Sequence, residues 1–547
     1  MSGAREPAVA DAAPAAATGR GEASAFLPFH TRAFAVLWAA TVIGNVGGWV
    51  RDTASAWMMT ELAPTPAMVA LVQAAGSLPV FLLSLPAGAL SDILDRRRLM
   101  VGIQAGLALV SLALATLTAL GLLGPGALLG LTLLAGIGAA LAGPVWQAIV
   151  PELVPRAALR PAVALNSLGI NISRAIGPAL AALVILSAGV PAAYLLDVSS
   201  YLVIIAALLW WQRRQEIPEV PEQFAGAVRA GFRYALASLP LRRVLLRAVL
   251  FFVPASCCWA LLPLVARQSL GGGAGDYGLM LAAVGAGAVG GALLLPRLRR
   301  SLSGEGVALL AGLLMAGATA ALALVGSVPL ACLVLALVGA AWIAALSTLN
   351  TAAQSVLPGW VRGRGLAVYL TVFSGAMTGG SLLWGALAGR SSIGLALLVA
   401  GGACAALALL ARLLPLPAGE EDLTPSHHWP APALAGTAEP ESGPVMVTIE
   451  YRVPLADQPA FSAAAAPLGA IRRRDGAFAW GLMADAAEPE RVTEWFLVAS
   501  WSEHLRQHGR VSVADKAVQE RVLACHQGEA PPVVRHLLTL GVSGGGA

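Results

Sequence analysis

The chain has 547 residues, 57% of them hydrophobic and only 12% charged, with a mean hydropathy of +0.75. Soluble domains carry about 25% charged residues, so this composition excludes a water-soluble protein and points to one built into a bilayer. The net charge of +5 is carried by arginine, with Lys516 the single lysine; that suits loops facing anionic lipid, and nothing in it supports nucleic-acid binding.

Residues 1–28 are rich in Ala, Pro and Gly and lack an apolar core, so they read as a disordered tail and not as a signal peptide. A membrane crossing takes about 20 mostly apolar residues. Twelve stretches qualify, at 34–59, 68–90, 99–120, 127–150, 163–188, 192–211, 244–265, 277–295, 307–325, 329–356, 366–388 and 393–414. The expected fold is therefore an all-α membrane protein with two six-helix halves, 29–211 and 244–414. A polar loop at 212–243 joins them, with a surface helix near 224–238. Alternate loops hold the arginines: Arg96 to Arg98, Arg156 and Arg160, Arg213 to Arg243, Arg297 to Arg300, Arg362 and Arg364. The intervening loops hold almost none, which places both termini in the cytoplasm. The halves also echo each other. Gly88-Ala89-Leu90 is answered by Gly291-Ala292-Leu293, and Gln147 to Pro151 by Gln354 to Pro358, at nearly the same offset. Such a repeat fits two halves related by an axis along the membrane normal.

Ionisable residues inside spans are costly and mark function by default. Arg51 and Asp52 fall in the outer half of span 1 and, being adjacent, are expected on different sides of the helix. Arg174 falls in span 5 and Asp197 near the start of span 6, where a solvated and a buried setting are equally open. A proton-coupled carrier needs a membrane carboxylate that is ionised in one state and neutral in another. Asp52 is the first candidate and Asp197 the second, with Arg174 pairing Asp52 or meeting an anionic substrate. Trp146, near Asn166, offers a stacking surface for substrate. Pro178, after Gly177, removes a backbone donor and can kink span 5.

Between spans 2 and 3 stands Gly88-Ala-Leu-Ser-Asp92-Ile-Leu-Asp95-Arg96-Arg97. Gly88, Asp92 and the Arg96–Arg97 pair resemble the loop 2–3 signature of the major facilitator superfamily; Ile93 and Asp95 depart from it. The resemblance implies that Gly88, Asp92, Arg96 and Arg97 latch one transport state. Gly177-Pro178 resembles part of the antiporter signature of drug exporters.

After a Pro/Ala/Glu linker at 415–443, residues 444–541 turn soluble in character. Strands at 445–453, 477–484, 492–500 and 533–540, with helices at 458–473 and 503–525, give the order β-α-β-β-α-β, a ferredoxin-like α+β domain. His504 and His508 stand four apart on a helix, but Leu505 occupies the place of a glutamate base, and they read as a solvated face, not a metal site. No cofactor motif, nucleophile–base pair or phosphate loop is expected to act. Val445 to Val453 and Phe496 to His508 resemble a monooxygenase-like α+β module, which implies pairing into homodimers through its sheets. Together with Leu241 to Arg247 and Leu357 to Arg364, these stretches resemble the transmembrane secretion effector branch of the superfamily, which holds enterobactin-exporter-like carriers. The resemblance implies proton-driven efflux of a siderophore, drug or secondary metabolite across a bacterial plasma membrane. A transporter–enzyme fusion and an uptake carrier are the alternatives.

Overall fold

A computed structural model describes residues 26–155, 158–212, 224–417, 422–426, 428–429 and 442–539. Among the described residues, eleven helices are long and apolar enough to cross a membrane. They are α1 (Arg32–Leu62), α2 (Pro66–Ile93), α3 (Arg96–Ala119), α4 (Pro125–Leu153) and α5 (Leu159–Trp210), then, after a short α6 (Phe224–Ala237), α7 (Leu239–Leu264), α8 (Ala274–Ser301), α9 (Gly304–Leu322), α10 (Val328–Ser355), α11 (Arg362–Arg390) and α12 (Ile393–Leu410). Twelve separate helices were expected. The difference lies in α5, whose 52 residues take in both span 5 and span 6. The two helices meet at a kink: Gly189 sits at φ +82° and ψ 172°, a non-helical, left-handed conformation that a side chain would resist, with Pro191 two residues on.

Local chemistry sets the helix ends. Thr65 caps α2 by accepting from the Met68 amide, with Pro66 in the first turn. Asp95 caps α3 by accepting from the Arg98 amide at 2.8 Å, which gives this departure from the loop signature a structural reason. Ser303 and Ser392 cap α9 and α12 in the same way.

In the first half α1 and α3 pack on α5, and α2 packs on α4; in the second, α8, α9 and α12 pack around α7 and α10. The halves meet along α2–α11 and α5–α8. Ser77 and Ser84 of α2 hydrogen-bond Thr378 and Thr371 of α11, each at 2.7 Å.

The remaining elements form a small domain: β1 (Val445–Arg452), α13 (Gln458–Asp475), β2 (Ala479–Ala484), β3 (Arg491–Val498), α14 (Trp501–Arg510), α15 (Val513–Leu523) and β4 (Val533–Leu538). The sheet order is β2-β3-β1-β4, antiparallel throughout. The expected single helix before β4 is two, because Val511 is extended and Ser512 starts a new capping box with Asp515. Of the expected linker, Thr424, Pro425 and Ser426 pair with Val511 to Val513 and so lie on this domain. The domain rests on the second half. Arg233 of α6 donates to Glu503 of α14 at 2.8 Å, and the Arg510 guanidinium lies 4.4 Å from the Trp360 ring centre.

Candidate functional site

The polar groups of the first half converge on Arg51. Its Nη2 and Nε both donate to Asp52 Oδ1, at 2.8 and 3.1 Å. Its Nη1 donates to the Tyr201 hydroxyl at 2.7 Å and stands 3.5 Å from Asp197 Oδ2. The guanidinium thus bridges two carboxylates in different settings. The Asp52 side chain is 57% exposed and lies within electrostatic reach of Tyr277 on α8, at the seam between the halves. Asp197 is 0% exposed. Its Oδ2 accepts from Ser111 at 2.6 Å, and its Oδ1 has no hydrogen-bond partner among the described residues.

This corrects one expectation and decides one that was open. Adjacency on a helix did not separate Arg51 from Asp52, because the long arginine side chain curls back to its neighbour. Asp197 is not solvated: α1 and α5 approach so closely that a Cβ at Gly47 would fall 2.8 Å from its Oδ1 and 2.2 Å from Ser200 Oγ. Ser111, Tyr201 and Gly47 went unnoticed in the sequence. The available signal was spacing: Gly47 and Arg51, like Asp197 and Tyr201, are four apart and share a helix face.

Arg174 does not pair with Asp52. It lies 5.7 Å from the Trp49 ring centre, its Nε lacks a hydrogen-bond partner, and among the described residues it forms no ion pair. Gly177 is where α5 crosses α1, since a Cβ there would sit 2.3 Å from that of Trp49 and 3.3 Å from the Val46 carbonyl. Pro178 is buried beside it. Trp146 is buried in the core of the first half, and its Nε1 donates to Oδ1 of the half-buried Asn166 at 2.7 Å. That packing corrects their reading as an open substrate surface.

Gly88 and Asp92 fall in the last turns of α2, and their side chains lie outside the described residues. Arg96 reaches Glu152 at 2.7 Å, and Arg97 donates to the Leu208 and Leu209 carbonyls at 2.7 and 2.6 Å. These bonds tie α3 to α4 and to the end of α5, all within one half. At the opposite end of the bundle the halves do bond. Arg267 stacks over Trp57, donates to Thr60 at 3.1 Å and approaches Glu61 at 3.6 Å; Trp57 stacks on Tyr277.

In the small domain, His504 is 1% exposed and not on a solvated face. Burial and the neighbouring imidazoles of His508 and His536 push it down to about 3; burial, His536 and Arg472 push His508 down to about 4. Both rings are neutral at physiological pH. The missing signal was His536, which arrives from β4 far along the chain.

Three kinds of likeness bear on this arrangement. Residues 23–543 match the family described as transmembrane secretion effector. A staphyloferrin A transporter of Staphylococcus aureus is 25% identical over 255 residues, covering 46% of this chain and 64% of that protein. The chain thus spans a little under two thirds of that relative's length. Among solved structures, a bacterial homologue of the human lysosomal transporter Spinster superposes with a TM-score of 0.57 at 13% identity, over 71% of this chain and 96% of that one. A POT family transporter in complex with 5-aminolevulinic acid gives 0.60 at 12%, over 72% and 97%. At such identities these two speak for the fold alone.

Proposed function

The chain belongs to the transmembrane secretion effector family of major facilitator transporters, and on that premise we propose that it exports a small anionic metabolite in exchange for protons. The cargo class is a siderophore, drug or secondary metabolite. The observation that carries this reading is the single arginine shared between a carboxylate at the seam and a buried one. A proton taken up by Asp52 weakens its hold on Arg51, and the guanidinium then turns wholly to Asp197. Loss of that proton returns it. Two arrangements of one cation, each biased by protonation at the seam, make an element that can be linked to movement of the halves. Arg174, a cation without a carboxylate partner among the described residues, supplies the contact for an anionic cargo. The half-chains rock about this site, with α5 serving as two crossings joined at Gly189 and both termini in the cytoplasm. Asp92, Arg96 and Arg97 with Gly88 hold the cytoplasmic ends in one state, and Arg267 with Glu61 holds the outer ends in the other.

The test uses inverted vesicles, a panel of candidate cargoes, and an imposed pH gradient. Wild type should accumulate its cargo only with the gradient. Asp197→Asn should lose accumulation while keeping downhill exchange. Full gradient-driven accumulation by that variant would overturn the assignment of coupling, and uptake in right-side-out cells would overturn the direction.

A further inference from the structure

Three imidazoles meet in the small domain. His504 and His508 stand one turn apart on α14, and His536 comes from the edge strand β4. One ring nitrogen from each lies within 4.8 Å of the other two. The Nε2 atoms of His504 and His508 are 3.3 Å apart, and the rings of His504 and His536 are 4.7 Å apart at their centres. From this geometry we propose that His504, His508 and His536 bind one divalent transition-metal ion of the zinc, cobalt, nickel and copper class.

Two imidazole nitrogens held at about 2.0–2.1 Å by a tetrahedral ion lie about 3.4 Å apart. The His504–His508 separation already has that value, and the ligand nitrogen of His536, within 4.8 Å of both, has to close to the same spacing. A hydrogen bond between His504 and His508 alone leaves other groups unexplained. His504 Nδ1 is buried with no hydrogen-bond partner among the described residues, and both ends of the Gln507 amide are in the same position. Gln507 is 0% exposed and stands one turn from His504 on the same helix. A metal on Nε2 fixes the proton of His504 on Nδ1, and the Gln507 Oε1 is then the buried acceptor that such a ligand needs. The nearby guanidinium of Arg472 is balanced by Glu494 at 3.0 Å. A purely nitrogen donor set selects late first-row ions over magnesium or calcium, which prefer oxygen. Three protein ligands leave the fourth position of the ion to water. The site lies wholly within the small domain, so it stands or falls independently of the transport reading.

The experiment is a cobalt(II) titration of the full chain in detergent, purified without a histidine tag and followed by visible absorption. One equivalent should bind with the band of a nitrogen-ligated ion, and a large excess of magnesium should not displace it. His508→Gln and His536→Gln alter half-buried rings and should keep the fold, checked by thermal unfolding without metal. Each should weaken binding by more than the roughly 10–100-fold typical of losing an outer partner. His428→Gln, close by but outside the triangle, should bind as wild type. Absence of stoichiometric binding by wild type, displacement by magnesium, or unchanged affinity in both ligand variants would overturn the site.

Discussion

The bundle and the small domain each bury an arginine with a carboxylate, and they do it differently. In the small domain Arg472 meets Glu494 with both carboxylate oxygens satisfied. Oε1 accepts from Arg472 and from the Trp480 indole at 3.1 Å, while Oε2 accepts from the Tyr451 hydroxyl at 3.2 Å. The guanidinium is also sandwiched, 4.7 Å from the Trp429 ring centre and 4.9 Å from that of Phe496. In the bundle Arg51 divides itself between two carboxylates, one of them half in solvent, and Asp197 keeps an oxygen without a partner. A fully satisfied network has one good arrangement and rigidifies its core. Under the proposed mechanism the divided one takes two arrangements, which is what a moving carrier requires and a static core does not.

Removing the carboxylate breaks this comparison most directly. Glu494→Gln leaves Arg472 buried without its counter-charge and should destabilise the small domain by about 3–5 kcal/mol. Hydrogen exchange at β1 and β3 would report it, with the bundle unchanged. Asp197→Asn leaves Arg51 its bond to Asp52, so the cost should fall to about 1–3 kcal/mol. Equal losses in the two variants would mean that the bundle pair is as fixed as the other. Gly47→Ala tests the close approach that seats Asp197. Its methyl would press on Ser200 and Asp197, and overpacking of this kind costs about 1–3 kcal/mol. A thermal-unfolding scan in detergent should show the loss. Asp52→Asn, at an exposed position, should move stability by no more than about 0.5 kcal/mol and yet remove the dependence of transport on the pH gradient. That split between stability and coupling is the signature of a divided arginine.

Much of this was legible in the sequence for a physical reason: a bilayer forces apolar length and arginine placement onto any chain that crosses it. The spans, the surface helix at α6 and the strands of the small domain follow from such local patterns. Asp197 and Arg51 were legible as costly residues in apolar stretches. Their partners were not, since Tyr201 lies 150 residues from Arg51 and Ser111 lies 86 from Asp197. The break between spans 5 and 6 was legible: one apolar stretch ends at 188 and the next starts at 192, and Gly189 between them leaves helical geometry. His504 and His508 looked like a solvated pair because the ring that completes their cluster comes from a strand that only the tertiary fold brings near.

The contact between the two regions gives a small effect confined to docking, and its sign is fixed by Glu503. Burial pushes this carboxyl up, but the hydrogen bonds and charges of Arg510 and Arg233 outweigh it and hold it below the usual carboxylate range. A group whose folded value is depressed stabilises the folded, docked form above its unfolded value of about 4.3. That contribution is lost as pH falls through the folded value; Arg510 belongs to the same domain, so the share due to Arg233 alone bears on docking, which is at full strength at neutral pH and weakens only in acid. The side chain is 12% exposed and Arg233 is 24% exposed, so solvent screens the pair and its worth is about 1 kcal/mol. Glu503→Gln should raise proteolytic nicking near α6 several-fold at neutral pH and remove the acid dependence of nicking seen in wild type. Because Arg510 would still stack on Trp360, the domain should loosen without detaching. Complete release would mean that the charges, and not the aromatic stack, hold the domain against the bundle.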